Sequence, residues 1–417
     1  MDGQITIEQH YVPRFYMKNF AVVKKKKKDI KAFISFYQFN KRLYKNNIPT
    51  KSICYKNNFY GEDGVIEKEL AEKEKKWAKT INRIVDCPQQ ELNLDEIENL
   101  KEFGVYQFLR TVAMLNHGKS MMSSLLITHF MNQSPELDKG IVADLVNQKI
   151  DKETEASMMV EMCDDLVKEL NDLAVGIVKF TTLHKLITSD MPVIITNPFS
   201  IEKAGVANVG TVMMYPISLD TLVIIYDNKV YSSCCKYMIS DNEQDVINLN
   251  KYQVISAENM IMSIDEQTLS DVVVQDDVIQ KRTDFIEKEK IESSFDGKGT
   301  LFAMKSRSIK YEFPISFFNL PRNIRKIPIV CREVFHRKYD YELRLSLLCR
   351  VYRLPDLLKS NQDFPQSEIH KRIDGYKKLL KFMDDYWEVP MSERTITPEF
   401  MYQLKNVPAK FFKLNDE

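Results

Sequence analysis

The chain has 417 residues, 44% of them hydrophobic and 28% charged, with 59 basic and 59 acidic side chains that sum to zero. That composition suits a globular protein with a substantial core, in two domains or in one domain with a large appendage, and a neutral total disfavours a dedicated nucleic-acid binder. No run reaches the roughly 18 apolar residues of a membrane helix and the opening Met-Asp-Gly-Gln lacks signal-peptide regions, so no membrane partner is expected and the cytoplasm is the expected compartment.

Residues 9–20 read Gln-His-Tyr-Val-Pro-Arg-Phe-Tyr-Met-Lys-Asn-Phe. Pro13 biases Val12 toward an extended backbone and has no N–H to lose at a first helical position. His10 is therefore expected at a strand-to-helix junction, with a short helix beginning at Pro13 and Arg14 in its first turn. Phe15, Asn19 and Phe20 recur at helical spacing and mark a buried side. Residues 1–58 carry eleven Lys and two Arg against Asp2, Glu8 and Asp29, a net +10 that the remainder must balance with −10. Lys24–Lys28 are expected at a loop tip, either solvated or touching the phosphates of a nucleic acid. The β-branched and aromatic run Ala32–Phe39 reads as a buried strand.

Residues 57–64 are punctuated as a turn and lead into a charged helix over 65–85. Its Glu67, Glu69, Glu72 and Glu74 alternate with lysines and read as a solvated, ion-paired face rather than a carboxylate site. Asn93-Leu94-Asp95-Glu96 resembles a capping box, so a long helix should start there, with Ile97, Leu100, Phe103, Thr111 and Met114 as its buried stripe. Gln107 lies on that stripe and Arg110 beside it. A buried guanidinium needs partners, which leaves an internal ion pair or an anion-binding pocket. Residues 135–173 hold eleven acids and four lysines and read as two acidic amphipathic helices, with Met158, Met159 and Met162 as packing residues. Their charge suits a homo-oligomer or a partner protein.

After Phe180 the pattern turns to strands over 183–188, 193–196, 211–215 and 219–226. Ser189 and Asp190 fall at a strand end, where Asp190 either bonds backbone amides as an Asx turn, orients His10, or holds a metal. A helix is expected over 245–261, bearing Asn250 and Glu258. Asp296–Gly299 is a loop signal, and helices over 330–353, 366–386 and 398–404 form a C-terminal extension. Arg332, Arg337, Lys338, Arg344, Arg350 and Arg353 give the extension a basic surface, which is either solvated or serves oligomerisation, a partner or nucleic acid. The fold class is α+β, with a mostly antiparallel sheet built from 30–39 and 183–226, covered by the long helices of 65–175. The domain division is 1–268 and a mostly helical 269–417. Seven cysteines without a Cys-x-x-Cys pair point to reduced thiols rather than structural zinc.

The opening Gln9-His10-Tyr11-Val12-Pro13-Arg14-Phe15 resembles the signature of a widespread, mostly bacterial family of unknown function recognised by its HYVP motif. Tyr60 after Asn57-Asn58-Phe59, the run Gln107–Thr111, Thr188–Val193 and Tyr215–Ser218 agree with it, over residues 7–265. Met191 stands where that family is expected to carry Asn. The resemblance brings no established reaction, but the patchy, accessory character of the family implies a toxin-like effector of bacterial antiviral defence.

The sequence has no Walker loop, Gly-x-Gly-x-x-Gly, His-Glu-x-x-His or Gly-x-Ser-x-Gly, and only 12 glycines, so no nucleotide cofactor is expected. What remains is the set His10, Arg14, Gln107, Arg110, Ser189 and Asp190. It suits acid–base chemistry on a phosphodiester, with His10 and Asp190 catalytic and Arg14, Gln107, Arg110 and Ser189 binding substrate. A divalent ion, Mg or Mn, is compatible with that chemistry. Two functions follow: a nuclease or phosphodiesterase acting on RNA or DNA, or a non-catalytic sensor or scaffold with a buried His/Arg/Asp network under a basic N-terminal surface. Convergence on an open cleft favours the first and sealing in a core the second.

Overall fold

The structure is a computed structural model that describes residues 7–26, 29–133, 138–198, 206, 210–228, 231, 236–273, 275–287, 292–295, 300–303 and 309–318. The loop at 296–299, the three C-terminal helices and their basic surface lie outside the described residues.

The short strand β1 (Glu8–His10) runs into Pro13, which sits at φ −60° and ψ 140° and caps the helix α1 (Arg14–Met17). The junction is the expected one, shifted by a residue. Its buried side is Val12, Tyr16, Met17 and Phe20, whereas Phe15 and Asn19 are only half-buried. The strands β2 (Val22–Lys26), β3 (Asp29–Gln38) and β4 (Leu43–Pro49) follow, and β5 (Tyr55–Asn57) pairs with β1. Lys24–Lys26 thus belong to β2 rather than to a loop tip, with Lys24 opposite Lys31 and its ammonium 5.1 Å from the Phe33 ring. Lys27 and Lys28 are outside the described residues.

Five helices come next: α2 (Val65–Asp86), α3 (Leu94–Leu109), α4 (Val112–Gln133), α5 (Lys139–Lys149) and α6 (Lys152–Glu169). The capping box forms, Asn93 accepting from the Glu96 amide and Glu96 from the Asn93 amide. The stripe expected to continue through Thr111 is broken there, because Arg110 leaves the helical conformation (ψ 4°) and Thr111 Oγ1 donates to the Phe108 carbonyl at 3.2 Å.

The remaining strands are β6 (Ala174–Phe180), β7 (Thr188–Ser189), β8 (Ile194–Thr196), β9 (Val212–Pro216), β10 (Thr221–Tyr226) and β11 (Tyr237–Ser240); then come α7 (Glu243–Ser256), β12 (Met260–Ser263), α8 (Glu266–Val273) and α9 (Asp276–Glu287). The single expected sheet is two sheets. In one, β12 lies between β3 and β7, Ile261 pairing with both Tyr37 and Ser189, while β2 and β4 also pair with β3. In the other the order is β11-β6-β10-β9-β8, antiparallel except for β11 beside β6. Ile194 pairs with Met214 in this second sheet, so the Phe33 and Ile194 segments do not meet. The helix expected through Ile261 stops at Ser256, since Ala257 turns to ψ 126° and the chain re-enters as β12.

Both faces of the second sheet are covered. Val175, Ile177, Met213, Tyr215, Val223 and Ile225 face one core with α2, α3 and α6, while Val178, Met214, Leu222 and Ile224 face another built on α7–α9. Two buried faces explain why these strands read as continuous apolar runs rather than as alternation. The boundary expected at 268 falls inside α8, and Val278, Ile309, Ile315, Phe317 and Phe318 belong to the second core. Among the described residues no helix is long and apolar enough to cross a membrane.

Candidate functional site

The segments singled out in the sequence interlock through side chains that bind one another's backbone. Gln9, fully buried, donates to the Gly61 carbonyl (3.2 Å) and accepts from the Tyr60 amide (2.6 Å), tying β1 to the turn before α2. From the end of α3, Gln107 Nε2 donates to the Tyr11 carbonyl (3.1 Å) and Arg110 Nη2 to the His10 carbonyl (2.6 Å). Tyr16 Oη donates to the Pro216 carbonyl (2.6 Å) and Asn19 Nδ2 to the Ile217 carbonyl (2.9 Å), so α1 is fixed to the end of β9.

Arg110 is the centre of this arrangement. It is 1% exposed, and besides the His10 carbonyl it donates from Nε to Tyr60 Oη (3.1 Å) and from Nη1 to Glu74 (2.7 Å). Of the two explanations for a buried arginine, this geometry is the internal ion pair, with each guanidinium nitrogen engaged. Burial pushes the Tyr60 hydroxyl up to about 12 even with Arg110 beside it. Burial also pushes Glu67 up to about 7, the attraction of Arg110 working against it and the charge of Glu74 adding to it. The expectation of a solvated face on α2 therefore holds for the exposed Glu69 and Glu72, but Glu67 and Glu74 join the Arg110 cluster. Their seven-residue spacing along the flank of the buried stripe Ile66, Leu70 and Trp77 is the signal that reveals them.

His10 is half-buried, its ring 5.6 Å from that of Tyr55, and its Nε2 is buried without a hydrogen-bond partner. Burial holds its pKa below the ordinary histidine value, helped by the charges of Arg14 and Arg110 and opposed by a backbone hydrogen bond at Lys51 and by Glu8. The ring is thus neutral near pH 7. Arg14 is exposed at the start of α1. The buried Gln107 Oε1 also lacks a partner.

Ser189 and Asp190 sit apart from this cluster. Ser189 Oγ donates to Gln253 Oε1 (2.8 Å) and accepts from the Met191 amide (3.2 Å). Asp190, 5% exposed, accepts from the amides of Glu258 (2.9 Å), Asn259 (2.8 Å) and Met260 (3.0 Å), which secures the turn from α7 into β12. Burial pushes its carboxyl up to about 7 against the pull of those amides. Of the three roles open to Asp190, backbone bonding is the one seen, and its carboxylate makes no hydrogen bond to His10. Tyr11 lies between the two groups: its carbonyl meets Gln107, while its hydroxyl, pushed far up by burial, bonds Cys54 and feels the Asp190 charge. Met191, in the place of the expected Asn, is buried and its carbonyl accepts from Ser256 Oγ (3.1 Å). Among the described residues no group of three or more His, Cys, Asp or Glu is placed to hold a metal ion, so the donor set offers Mg or Mn no ready cage. Gln9, Tyr11, Tyr60, Glu67, Glu74 and Gln253 are members that sequence reasoning missed.

No curated protein and no solved structure matches the chain. The sequence model of the family described as "Protein of unknown function (DUF4238)" matches residues 8–267, more than half of the chain and the whole stretch from β1 to β12 that carries both polar groups. The chain belongs to that family.

Proposed function

We propose that the domain is a non-catalytic sensor or scaffold in which His10, Arg110 and Asp190 hold the polypeptide in shape beneath a basic contact surface, and that its family is the one its HYVP signature resembles. The observation that carries this reading is the engagement of all three Arg110 nitrogens inside the protein, by the His10 carbonyl, Tyr60 and Glu74. Gln107, Ser189 and Asp190 are likewise committed to neighbours, which leaves four of the six residues that a phosphodiester reaction would use fixed in a core. The contact surface is the strand group β2–β4 with the turns that follow, where Lys31, Lys41, Arg42, Lys45, Lys51 and Lys56 are exposed. Its chemistry fits the phosphates of a nucleic acid, bound without regard to sequence. Titration of single- and double-stranded DNA and RNA at several salt concentrations tests this. Neutralising Lys41, Arg42 and Lys45 should weaken binding uniformly and flatten the slope of log affinity against log salt by roughly one for each phosphate left without its cation. An unchanged slope would return these side chains to an ordinary solvated surface.

One observation favours a second reading, a nuclease or phosphodiesterase effector of bacterial antiviral defence. The buried, unpartnered Nε2 of a neutral His10 near an exposed Arg14 is what a general base next to a phosphate ligand requires. Cleavage of a nucleic-acid panel with and without Mg²⁺ or Mn²⁺, by wild type and His10→Ala, tests it.

A further inference from the structure

We propose that α7 and the outer edge of β8 form a groove that recognises an extended apolar peptide, and that this chain fills the groove with its own residues 309–318, which a peptide from another polypeptide can replace. This goes beyond the basic contact surface and involves none of its residues.

Asp245, Asn248 and Tyr252, spaced i, i+3 and i+7 along α7, present one polar row. All three are buried, and all three address the backbone of the segment rather than its side chains alone. Asn248 Nδ2 donates to the Pro314 carbonyl (2.7 Å). Tyr252 Oη accepts from the amides of Glu312 (3.1 Å) and Phe313 (2.9 Å) and donates to the Phe313 carbonyl (3.0 Å). Asp245 accepts from the Ser316 amide (2.8 Å) and from its hydroxyl. At the other end Ile309 donates to the Ile195 carbonyl (2.8 Å) and its carbonyl accepts from Thr196 Oγ1 (2.7 Å), so the segment adds to β8, the terminal strand of its sheet.

The segment itself has neither helix nor strand, yet Pro314 and Ser316 are exposed while Ile315 and Phe317 are buried. That period-two alternation is the mark of an extended peptide read from one side. Ile309 and Phe318 are the outer anchors, and the Phe313 ring meets Tyr252 edge-on at 5.4 Å. Main-chain capture combined with pockets for alternate side chains is how sheet-edge and groove receptors take up extended peptides. The polar row and β8 lie within the family match at 8–267, whereas the segment lies beyond it. The receptor therefore belongs to the DUF4238 domain and the occupant to this chain's addition. The partner chemistry follows from the occupant: Pro, an aliphatic residue, a small polar residue and two aromatics in an extended stretch.

The test uses the full chain and a fluorescently labelled peptide with the sequence of residues 309–318. A tethered occupant competes at high effective concentration, so wild type should bind the peptide weakly. The variant Ile315→Ala/Phe317→Ala, which loosens the tethered occupant and leaves the groove walls intact, should bind it at least ten times more tightly. Adding Asp245→Asn and Tyr252→Phe to that variant should abolish binding. A folded, cooperatively melting double variant that binds no peptide, or that binds it regardless of the wall changes, overturns the proposal. Hydrogen exchange on the wild type provides an answer even if the double variant fails to fold. The amides of Glu312, Phe313 and Ser316 should exchange by local opening, at least tenfold faster than those of β10; exchange only with global unfolding would make the segment an inseparable part of the core and sink the idea.

Discussion

The knot around Arg110 and the row along α7 solve one problem with different chemistry. Each holds irregular backbone in place by burying polar side chains that reach across the fold. In the knot the reaching group is a guanidinium that needs the Glu74 carboxylate beside it. Along α7 the groups are mainly neutral: Asn250 accepts from the Ile187 amide (3.0 Å), Gln253 Nε2 donates to the Pro192 carbonyl (2.8 Å), and Asn248 and Tyr252 hold residues 312–314. A neutral amide or hydroxyl that loses its partner leaves a modest desolvation cost, whereas a buried guanidinium that loses its carboxylate leaves an uncompensated charge. The knot is therefore the brittle region and the α7 row the exchangeable one, which matches what each holds: the knot joins parts of the family domain, and the row also holds a segment from outside it.

The sharpest way to break this comparison is Arg110→Met. It strands Glu74, Tyr60 and the His10 carbonyl together, and the expected loss is about 3–5 kcal/mol in urea unfolding, toward the lower end because Glu74 is partly open to water. A loss below about 1 kcal/mol would mean that Arg110 is not structural, and would reopen the anion pocket. Next in size is Asp190→Ala, which leaves three buried amides without their acceptor and should cost about 1–3 kcal/mol, with any loss of function following the loss of folded protein. Retained stability with a lost activity would move Asp190 from the backbone role to a chemical one.

Both regions are only half legible in the sequence, and for a shared reason. Local signals are clear: Pro13 ends the extended stretch, Asn93 and Glu96 cap α3, and Ile194–Thr196 and Thr221–Tyr226 are strands. What escapes is non-local. Met260–Ser263 follows α7 so closely that its apolar residues look like one more helical turn, and only the pairing with β3 and β7 makes it the centre of a sheet. Val175–Val178 is a strand behind an acidic helix, buried on both sides and without alternation. The site escapes in the same way. Gln9, Gln107 and Arg110 are bound to carbonyls, and a carbonyl is present at every residue, so the partner leaves no mark on composition or spacing. Glu67 and Glu74 do leave a mark in their heptad spacing, but the lysines around them make the face look solvated.

Of smaller effect, and confined to the knot, is the pH dependence of Glu67. Its folded pKa, about 7, lies above its ordinary value of 4.5, so its contribution is fully present below about pH 4.5 and is lost as the pH rises through 7. A fully buried group with that shift would account for about 3 kcal/mol, and solvent reaching the half-buried carboxylate reduces this to about 1 kcal/mol. Melts of Glu67→Gln should therefore lie close to wild type at pH 5 and above it at pH 8. Parallel curves at both pH values would show that Glu67 ionises as an ordinary surface acid and does not belong to the Arg110 cluster.

The smallest expected effect on stability falls on His10, and it discriminates best between the two functions. Because Nε2 has no partner, His10→Ala removes only the Lys51 backbone bond and the packing against Tyr55, a loss of about 0.5–1.5 kcal/mol. Its lowered pKa gives the opposite sign to Glu67: the contribution of a neutral His10 is present above the ordinary histidine pKa and is lost as the pH falls through the folded value, so His10→Gln should flatten the acid side of the stability profile. If His10 carries protons, the same substitution should lower cleavage of a nucleic-acid panel, or cellular toxicity, by about a hundredfold or more while the melting temperature barely moves. If it is a packed ring, the melt shifts by the amount above and no cleavage exists to be lost. A wild type that cleaves nothing with or without Mg²⁺ or Mn²⁺, together with a destabilised His10→Ala, would end the hydrolase reading. Nε2 would then be a buried acceptor awaiting a donor, as the sensor reading requires.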